Sequence, residues 1–507
     1  MLARLALRAG AARAYARTNP GPRRRKIMEK TSNYPELKMF IGGKWITSDA
    51  GEPVINPADG SVLGHLPHAN RADLDGALAA AAAGFETWRR FTPAARERIL
   101  LNAAENLKAR GEEIAVGLVL DQGKTIQEAR TEVQIAQDRI AWDATEGRRI
   151  YGRIIPAGPG LRKMVTRHPL GVVAAFTPWN YPLASPTRKV AGALAAGCSI
   201  ILKGAEETPS GPVALVRAFA EAGVPDGVVN LVFGKPAEIS AYLIPNPIVR
   251  LVTFTGSVPV GKHLAALCGQ HMKPAIMELG GNSPVIIWRD ADPRAAGQLA
   301  VTGKSRNAGQ VCVSPTRFFV HDQIYDQFVD EFAAGATGLK IGSGLDTSIQ
   351  MGPLANKRRL DAVETYVEDA IGRGARLAAG GRRANNDGFL YPMTVLADVP
   401  PDARAMLEEP FGPLALITRV KNLDQAIARA NEVEFGLAAY AFTDSASVAA
   451  QISDELECGS LSINHYTSSF PDVPFGGIKD SGYGREGGTE GLNEYTFSRS
   501  VTQQWRS

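Results

Sequence analysis

Gly171-Val172-Val173-Ala174-Ala175-Phe176, Ser199-Ile200-Ile201-Leu202 and Val228-Val229-Asn230-Leu231-Val232 are three short apolar runs, rich in β-branched residues, that follow one another along the chain. Between them lie helical patterns, Arg188 to Ala196 and Ser210 to Ala222. Strands separated by single helices need parallel pairing with right-handed crossovers, so this stretch predicts an open, twisted α/β sheet. The pattern returns at Pro284-Val285-Ile286-Ile287-Trp288, Thr316-Arg317-Phe318-Phe319-Val320 and Ala415-Leu416-Ile417-Thr418-Arg419-Val420, which predicts a second unit of the same kind. The paired glycines of Met277-Glu278-Leu279-Gly280-Gly281 would let the backbone turn sharply between the two. Upstream, Asp73 to Glu146 carries Ala, Glu, Arg and Leu at helical spacing. Arg148 to His168 alternates basic and apolar residues around Pro156 to Gly160, and predicts a hairpin standing away from both units.

With 507 residues, 45% hydrophobic and 21% charged, the chain falls in the soluble globular range and is not disordered, collagen-like or coiled-coil. Its longest uncharged apolar run, Val190 to Leu202, is shorter than the roughly 20 residues of a membrane-spanning helix, so no membrane partner is expected. The formal charge of +4 is concentrated at the start, where residues 1–28 hold eight basic residues and no acid. Setting those aside leaves 48 basic against 52 acidic residues, which gives no electrostatic ground for a nucleic-acid partner. Residues 1–27 read as a basic extension, either a mitochondrial-type presequence or an upstream leader without a folded role, since Met28 offers a second start. Cys198, Cys268, Cys312 and Cys458 are far apart, which indicates a reducing compartment: the cytoplasm, or the mitochondrial matrix if the extension acts as a presequence. The seven histidines show no metal-binding spacing, and no metal site is expected.

Several short motifs carry chemistry. Gly256-Ser257-Val258-Pro259-Val260-Gly261-Lys262 has P-loop spacing, but His263 stands where a Ser or Thr must bind magnesium. Gly482-Tyr483-Gly484-Arg485-Glu486-Gly487 fits a dinucleotide fingerprint, yet too little chain follows to complete its βαβ unit. Val252-Thr253-Phe254 reads as a strand leading through Thr255-Gly256-Ser257 into a helix whose N-terminus could take a phosphate, with Ser257 as its cap. Cys312 is the candidate nucleophile, the alternative being an inert buried thiol. Glu278, between apolar Met277 and the glycine turn, is either a desolvated general base or a solvated loop acid. Asn180, just after a strand end, is either an oxyanion donor or a turn residue between Pro178 and Pro182.

Phe176 to Pro182, Lys203-Gly204-Ala205-Glu206, Phe254-Thr255-Gly256-Ser257, Met277 to Gly281, Gly309-Gln310-Val311-Cys312, Glu409-Pro410-Phe411-Gly412-Pro413 and Pro474-Phe475-Gly476-Gly477 occur in order. Together they resemble the motif set of the NAD(P)-dependent aldehyde dehydrogenase superfamily, from about Met39 to the C-terminus, with Gly204 where relatives often have Pro. The resemblance implies two Rossmann-like parallel-sheet domains and a β-hairpin oligomerisation element, assembled as a homodimer or homotetramer. On that reading 28–145 and 167–278 form the NAD-binding domain, 279–480 the catalytic domain, and 146–166 with 481–507 the oligomerisation domain. It implies that Cys312 attacks the aldehyde, that Asn180 and the Cys312 N–H hold the oxyanion, and that Glu278 activates water to hydrolyse the thioester. The cofactor residues implied are Lys203 and Glu206 for the adenosine ribose, Gly256 and Ser257 for the pyrophosphate, Glu409 for the nicotinamide ribose and Phe411 for the ring, with Phe176 and Trp179 beside them. A carboxylate at Glu206 favours NAD over NADP.

Thr187-Arg188-Lys189, Ser305-Arg306-Asn307 and Ser468-Ser469 further resemble the succinate-semialdehyde dehydrogenase branch. The implied substrate residues are Arg188, Arg306 and Ser469, two guanidinium forks and a hydroxyl for a far carboxylate. Val313-Ser314 after the thiol leave no neighbouring Cys for a redox disulfide, and His465, Tyr466 and Phe470 add aromatic bulk. The expectation is NAD-dependent oxidation of a semialdehyde, best matched by succinate semialdehyde. The alternatives are a broad-specificity or aromatic aldehyde dehydrogenase and a catalytically silent binding homologue.

Overall fold

Every residue of β1 (Val172–Phe176) and β2 (Ser199–Lys203) is buried, which is why their sequences are continuously apolar: an inner parallel strand has no solvent side to alternate towards. The computed structural model describes residues 34–48, 51–384 and 388–505; the basic extension over 1–27 lies outside the described residues. β1 and β2 belong to an eight-stranded sheet. Its order is Lys44–Ile46, Met39–Ile41, Val229–Val232, β2, β1, β3 (Val249–Thr255), β4 (Ala275–Glu278), Gly482–Tyr483. Pairing is parallel from Val229–Val232 through β4 and antiparallel at both margins.

The chain then passes through Gly280 and Gly281 into β5 (Ser283–Ile287), in a second sheet of seven strands. That sheet runs Arg376–Ala379, Thr394–Ala397, Leu414–Val420, β6 (Pro315–His321), β5, Ala438–Phe442, Ser460–Ile463, all parallel except the first pair. Two parallel-rich sheets are the α/β class that the strand and helix alternation predicts. A third, three-stranded sheet joins Arg153–Ile155 and Leu161–Pro169 to Thr496–Gln504, which pairs along all nine of its residues.

Four helices frame the site: α1 (Ile126–Glu146), α2 (Ala184–Ala196), α3 (Val258–Gln270) and α4 (Pro293–Ser305). α2 begins a turn earlier than its sequence pattern suggests. The carboxylate of Glu132, on α1, accepts the N–H groups of Leu183 and Ala184 at 2.9 and 3.0 Å, so the cap is supplied from 51 residues away, where no local pattern records it. The segment after residue 480 also differs from its expected single role: Gly482–Tyr483 closes the margin of the first sheet against β4, and only Thr496–Gln504 joins the hairpin. Among the described residues, no helix is long and apolar enough to cross a membrane.

Candidate active site

β1, β3 and β4 end on one side of the first sheet, and the turns that leave them line a cavity of about 710 Å³. Crevices beyond the carboxyl ends of parallel strands are where open α/β sheets place ligands. The turn after β1 contributes Trp179 and Asn180, the end of β3 Gly256 and Ser257, and the end of β4 Glu278. From the second half come Arg306 and Cys312, following α4, then Glu409, Phe411 and Ser469, while Arg188 reaches in from α2. Eleven of the fourteen residues singled out from the sequence thus meet at one cavity.

Three do not line it. Phe176 is 4% exposed inside the first sheet, in register with Lys203 of β2, and does not line the cavity. Lys203 closes β2 and forms an ion pair with Glu206; burial pulls the Lys203 ammonium pKa down while Glu206 supports its charge. Ser257 stands at the N-cap of α3, yet its side chain makes no capping hydrogen bond. The first-turn N–H groups of α3 are therefore not taken by the cap expected for them.

The nucleophile candidate follows a strained turn. Asn307, Ala308 and Gly309 have φ of +50°, +51° and +70°, a run of left-handed residues in which Asn307 and Ala308 each bear a Cβ. At Gly309 any Cβ would lie 2.0 Å from the Gly412 carbonyl oxygen. Burial, and the nearby Glu409 carboxylate, push the Cys312 thiol up to about 12, with Arg188 acting in the opposite direction. Glu278 is 2% exposed, and neither of its carboxylate oxygens has a hydrogen-bond partner among the described residues. Burial first, and the Glu486 carboxylate second, hold its pKa well above the usual range, against Lys189, Arg188 and Arg485.

The Asn180 side chain donates from Nδ2 to the Gln310 carbonyl at 3.0 Å, which fixes the amide plane against the turn that carries Cys312. A carboxamide has two N–H hydrogens, so one remains to point at a ligand oxygen. The Asn180 carbonyl accepts from Asn307 Nδ2 at 2.9 Å and from Lys124 Nζ at 3.1 Å.

Four arginines line the cavity, Arg188, Arg306, Arg358 and Arg359, and the first two were singled out from the sequence. Arg188 donates to Ser469 Oγ at 2.5 Å, lies 4.5 Å over the Phe475 ring and stands 3.9 Å from Glu486. Arg306 has a buried Nε with no hydrogen-bond partner among the described residues, and the neighbouring Tyr181 is the main influence raising its pKa. Tyr440, which donates to the Val313 carbonyl at 2.6 Å, sits beside it.

The same cavity carries aromatic, acidic and donor groups of the kinds that bind dinucleotides. Trp179 and Phe411 meet edge to face at 5.4 Å, and Phe411 is held at φ +45°. Glu409 accepts from the Gly281 N–H at 3.0 Å, and burial raises its pKa to about 7. Asn356 Nδ2 and Arg359 Nε are buried donors lacking partners among the described residues, on residues that line the cavity. Donors of that kind suit phosphate or ribose oxygens.

Sequence reasoning missed a buried pair behind Glu278. Lys189 donates to Glu486 at 2.6 Å and to Thr253 at 3.0 Å, and Glu486 lies inside the glycine motif set aside as a chance match. The one available signal was a lysine bordering the apolar run from Val190. Asn356 and Arg359 were missed as well, because nothing in the sequence near them marks a strand end or a glycine turn.

The sequence profile of the Aldehyde dehydrogenase family matches residues 45–501. The putative 4-(hydroxymethyl)benzenesulfonate dehydrogenase TsaD2 of Comamonas testosteroni is 48% identical over 464 residues, covering 91% of this chain and 96% of that protein. The NADP(+) succinate-semialdehyde dehydrogenase GabD of Escherichia coli (strain K12) is 40% identical over 467 residues, covering 92% and 97%. The crystal structure of succinate-semialdehyde dehydrogenase from Burkholderia pseudomallei superposes with a TM-score of 0.91 at 39% identity, covering 93% of this chain and 98% of that one.

Proposed function

Because this chain belongs to the aldehyde dehydrogenase family, and so is an oxidoreductase acting on aldehydes, we propose that its substrate is an aldehyde with an anionic group at the far end. Succinate semialdehyde is the first candidate. The observation that carries this reading is that Arg188, bonded to Ser469, and Arg306 line the same cavity as Cys312. Guanidinium forks in a desolvated site bind carboxylates through paired, charge-assisted bonds.

A bound nicotinamide dinucleotide supplies the hydride acceptor. Lys203, Glu206, Ser257, Glu409 and Phe411 would hold it, together with Asn356 and Arg359. The Glu206 carboxylate would accept ribose hydroxyls and repel a 2′-phosphate, which supports NAD as the preferred form. Cys312 gives up its proton to solvent, and its sulfur forms a bond to the aldehyde carbon as the carbonyl π pair moves to oxygen. The free Nδ2 hydrogen of Asn180 and the Cys312 N–H receive that oxyanion. Once the carbon has given up its hydride, the product is a thioester on Cys312. Glu278 then takes a proton from water, hydroxide adds to the thioester carbon, and the Cys312 thiolate leaves with a free carboxylic acid.

A second reading, a sulfonated aromatic aldehyde, is favoured by the name of the Comamonas relative and by Tyr181, Phe475 and three hydroxyl side chains, Thr467, Ser468 and Ser469, on the cavity wall. The test is the initial rate of NADH formation with succinate semialdehyde, 4-formylbenzenesulfonate and butyraldehyde at equal low concentration. Either anion should exceed butyraldehyde, and Arg306→Ala should remove about 1–3 kcal/mol of that preference. Equal rates for all three would overturn the anion clamp. Oligomerisation through the three-stranded sheet is supported by the exposure of Tyr151, Ile154, Phe497 and Trp505 along it.

A further inference from the structure

Three charged side chains at the start of α1 reach both halves of the site without lining its cavity. Glu128 splits its carboxylate between two tasks. Oε2 accepts from the Thr125 N–H and hydroxyl, both at 2.9 Å, which completes the capping box of α1. Oε1 accepts the Asn307 N–H at 2.6 Å, at the first residue of the left-handed turn that leads to Cys312.

One turn further along, Glu132 is 1% exposed and also divides its oxygens. Oε1 takes the N–H groups of Leu183 and Ala184, and Oε2 pairs with Lys124. Lys124 is itself 2% exposed. Its ammonium donates to the Asn180 carbonyl at 3.1 Å and lies 4.3 Å over the Tyr181 ring. The turn that carries Lys124 is wedged against the second half of the chain, since Ile126 donates to the Gly344 carbonyl at 2.8 Å. A Cβ on Gly344 would come within 2.0 Å of the Lys124 carbonyl oxygen.

We propose that Lys124, Glu128 and Glu132 are positioning residues that set the Asn180 amide and the Cys312 turn against one another, so that oxyanion donor and sulfur keep one fixed separation. The proposal rests on the roles given above to Asn180 and Cys312. Two buried charges are costly unless paired, and here each pairs with the other while also holding backbone of the reactive loops. The left-handed turn at Asn307 and Ala308 has its leading N–H tied to a carboxylate, which opposes relaxation to an ordinary conformation.

The experiment is a double-mutant cycle on the full chain, with turnover and thiol reactivity read separately. Lys124→Met is combined with Glu132→Gln, so that neither charge is left alone and the Gln carbonyl can still accept from Leu183 and Ala184. This pair should lower kcat/KM by about 100-fold, the scale of an ångström of misplacement, in the wild-type background. In an Asn180→Ala background it should cost about threefold or less, because the group it positions is gone. Losses that multiply across the two backgrounds would overturn the proposal for Lys124 and Glu132.

Glu128→Ala should slow alkylation of Cys312 by iodoacetamide about tenfold or more, Glu128→Gln should restore it through its remaining acceptor oxygen, and NADH affinity should stay unchanged in both. Equal alkylation rates in wild type and Glu128→Ala would overturn the proposal for Glu128. If the Lys124/Glu132 pair does not fold, the half-buried Glu128 arm decides the proposal by itself. Turnover that survives Cys312→Ala, or that Asn180→Ala leaves undiminished, would instead sink the mechanism on which it rests.

Discussion

Cys312 must react as a thiolate, yet it sits where burial and Glu409 push its thiol up to about 12, and Glu278, the candidate base for water, is also held above the ordinary carboxylate range. Both groups act in their deprotonated forms, and both have raised values, so alkali favours the competent pair. We expect kcat/KM to rise as the pH is taken from neutral into the alkaline range, and acid to suppress it. A flat pH profile would show that substrate or cofactor lowers these values before chemistry begins. Glu278→Gln cannot accept a proton from water, so it should leave a burst of one NADH per site while steady turnover falls about 100- to 10,000-fold. Rapid mixing separates the two phases. Residues like these were legible in the sequence because each lies at a strand end or beside a glycine turn and within a motif set that resembles a known family. Lys189 and Glu486 were not, since the two side chains that meet at 2.6 Å lie 297 positions apart in the chain. Phe176 belongs to the same motif as Asn180 but lies in a strand buried along its whole length, away from the cavity lining.

Among the elements, the turn from Asn307 to Gly309 concentrates strain beside the thiol, and adjacent substitutions there should act in opposite directions. Ala308→Gly relieves a left-handed Cβ that costs about 1–2 kcal/mol, offset by about 0.4–1 kcal/mol of unfolded-chain entropy, so stability should hold or rise slightly. Gly309→Ala puts a methyl group 2.0 Å from the Gly412 carbonyl oxygen at φ +70°, and should cost about 2 kcal/mol or more. Urea midpoints measure both, and the expectation fails if Gly309→Ala is the milder of the two. The strand and helix alternation was readable because periodicity is a local property. The early start of α2 and the shared duties of Glu128 were hidden because they are set by closure of the chain: Glu128 and Asn307 are 179 positions apart.

At the scale of the molecule, the three-stranded sheet exposes Ile154 by 76%, and Tyr151 just before its first strand is 73% exposed, an apolar margin of the kind that a second copy covers. We expect sedimentation to show a dimer or larger for the wild type and a smaller species for Ile154→Asp; identical sedimentation would place the interface elsewhere. The third strand of that sheet, Thr496–Gln504, pairs with Leu161–Pro169, although more than three hundred residues separate them. At a synthesis rate of about 5–20 residues per second, roughly half a minute passes between emergence of the two partners from the ribosome. During that interval the nascent hairpin presents an unpaired edge, and the three-stranded sheet is completed only once Gln504 has emerged. Chains whose translation stops early would all share that open edge, a uniform recognition mark by which chaperones or proteases could separate them from finished protein.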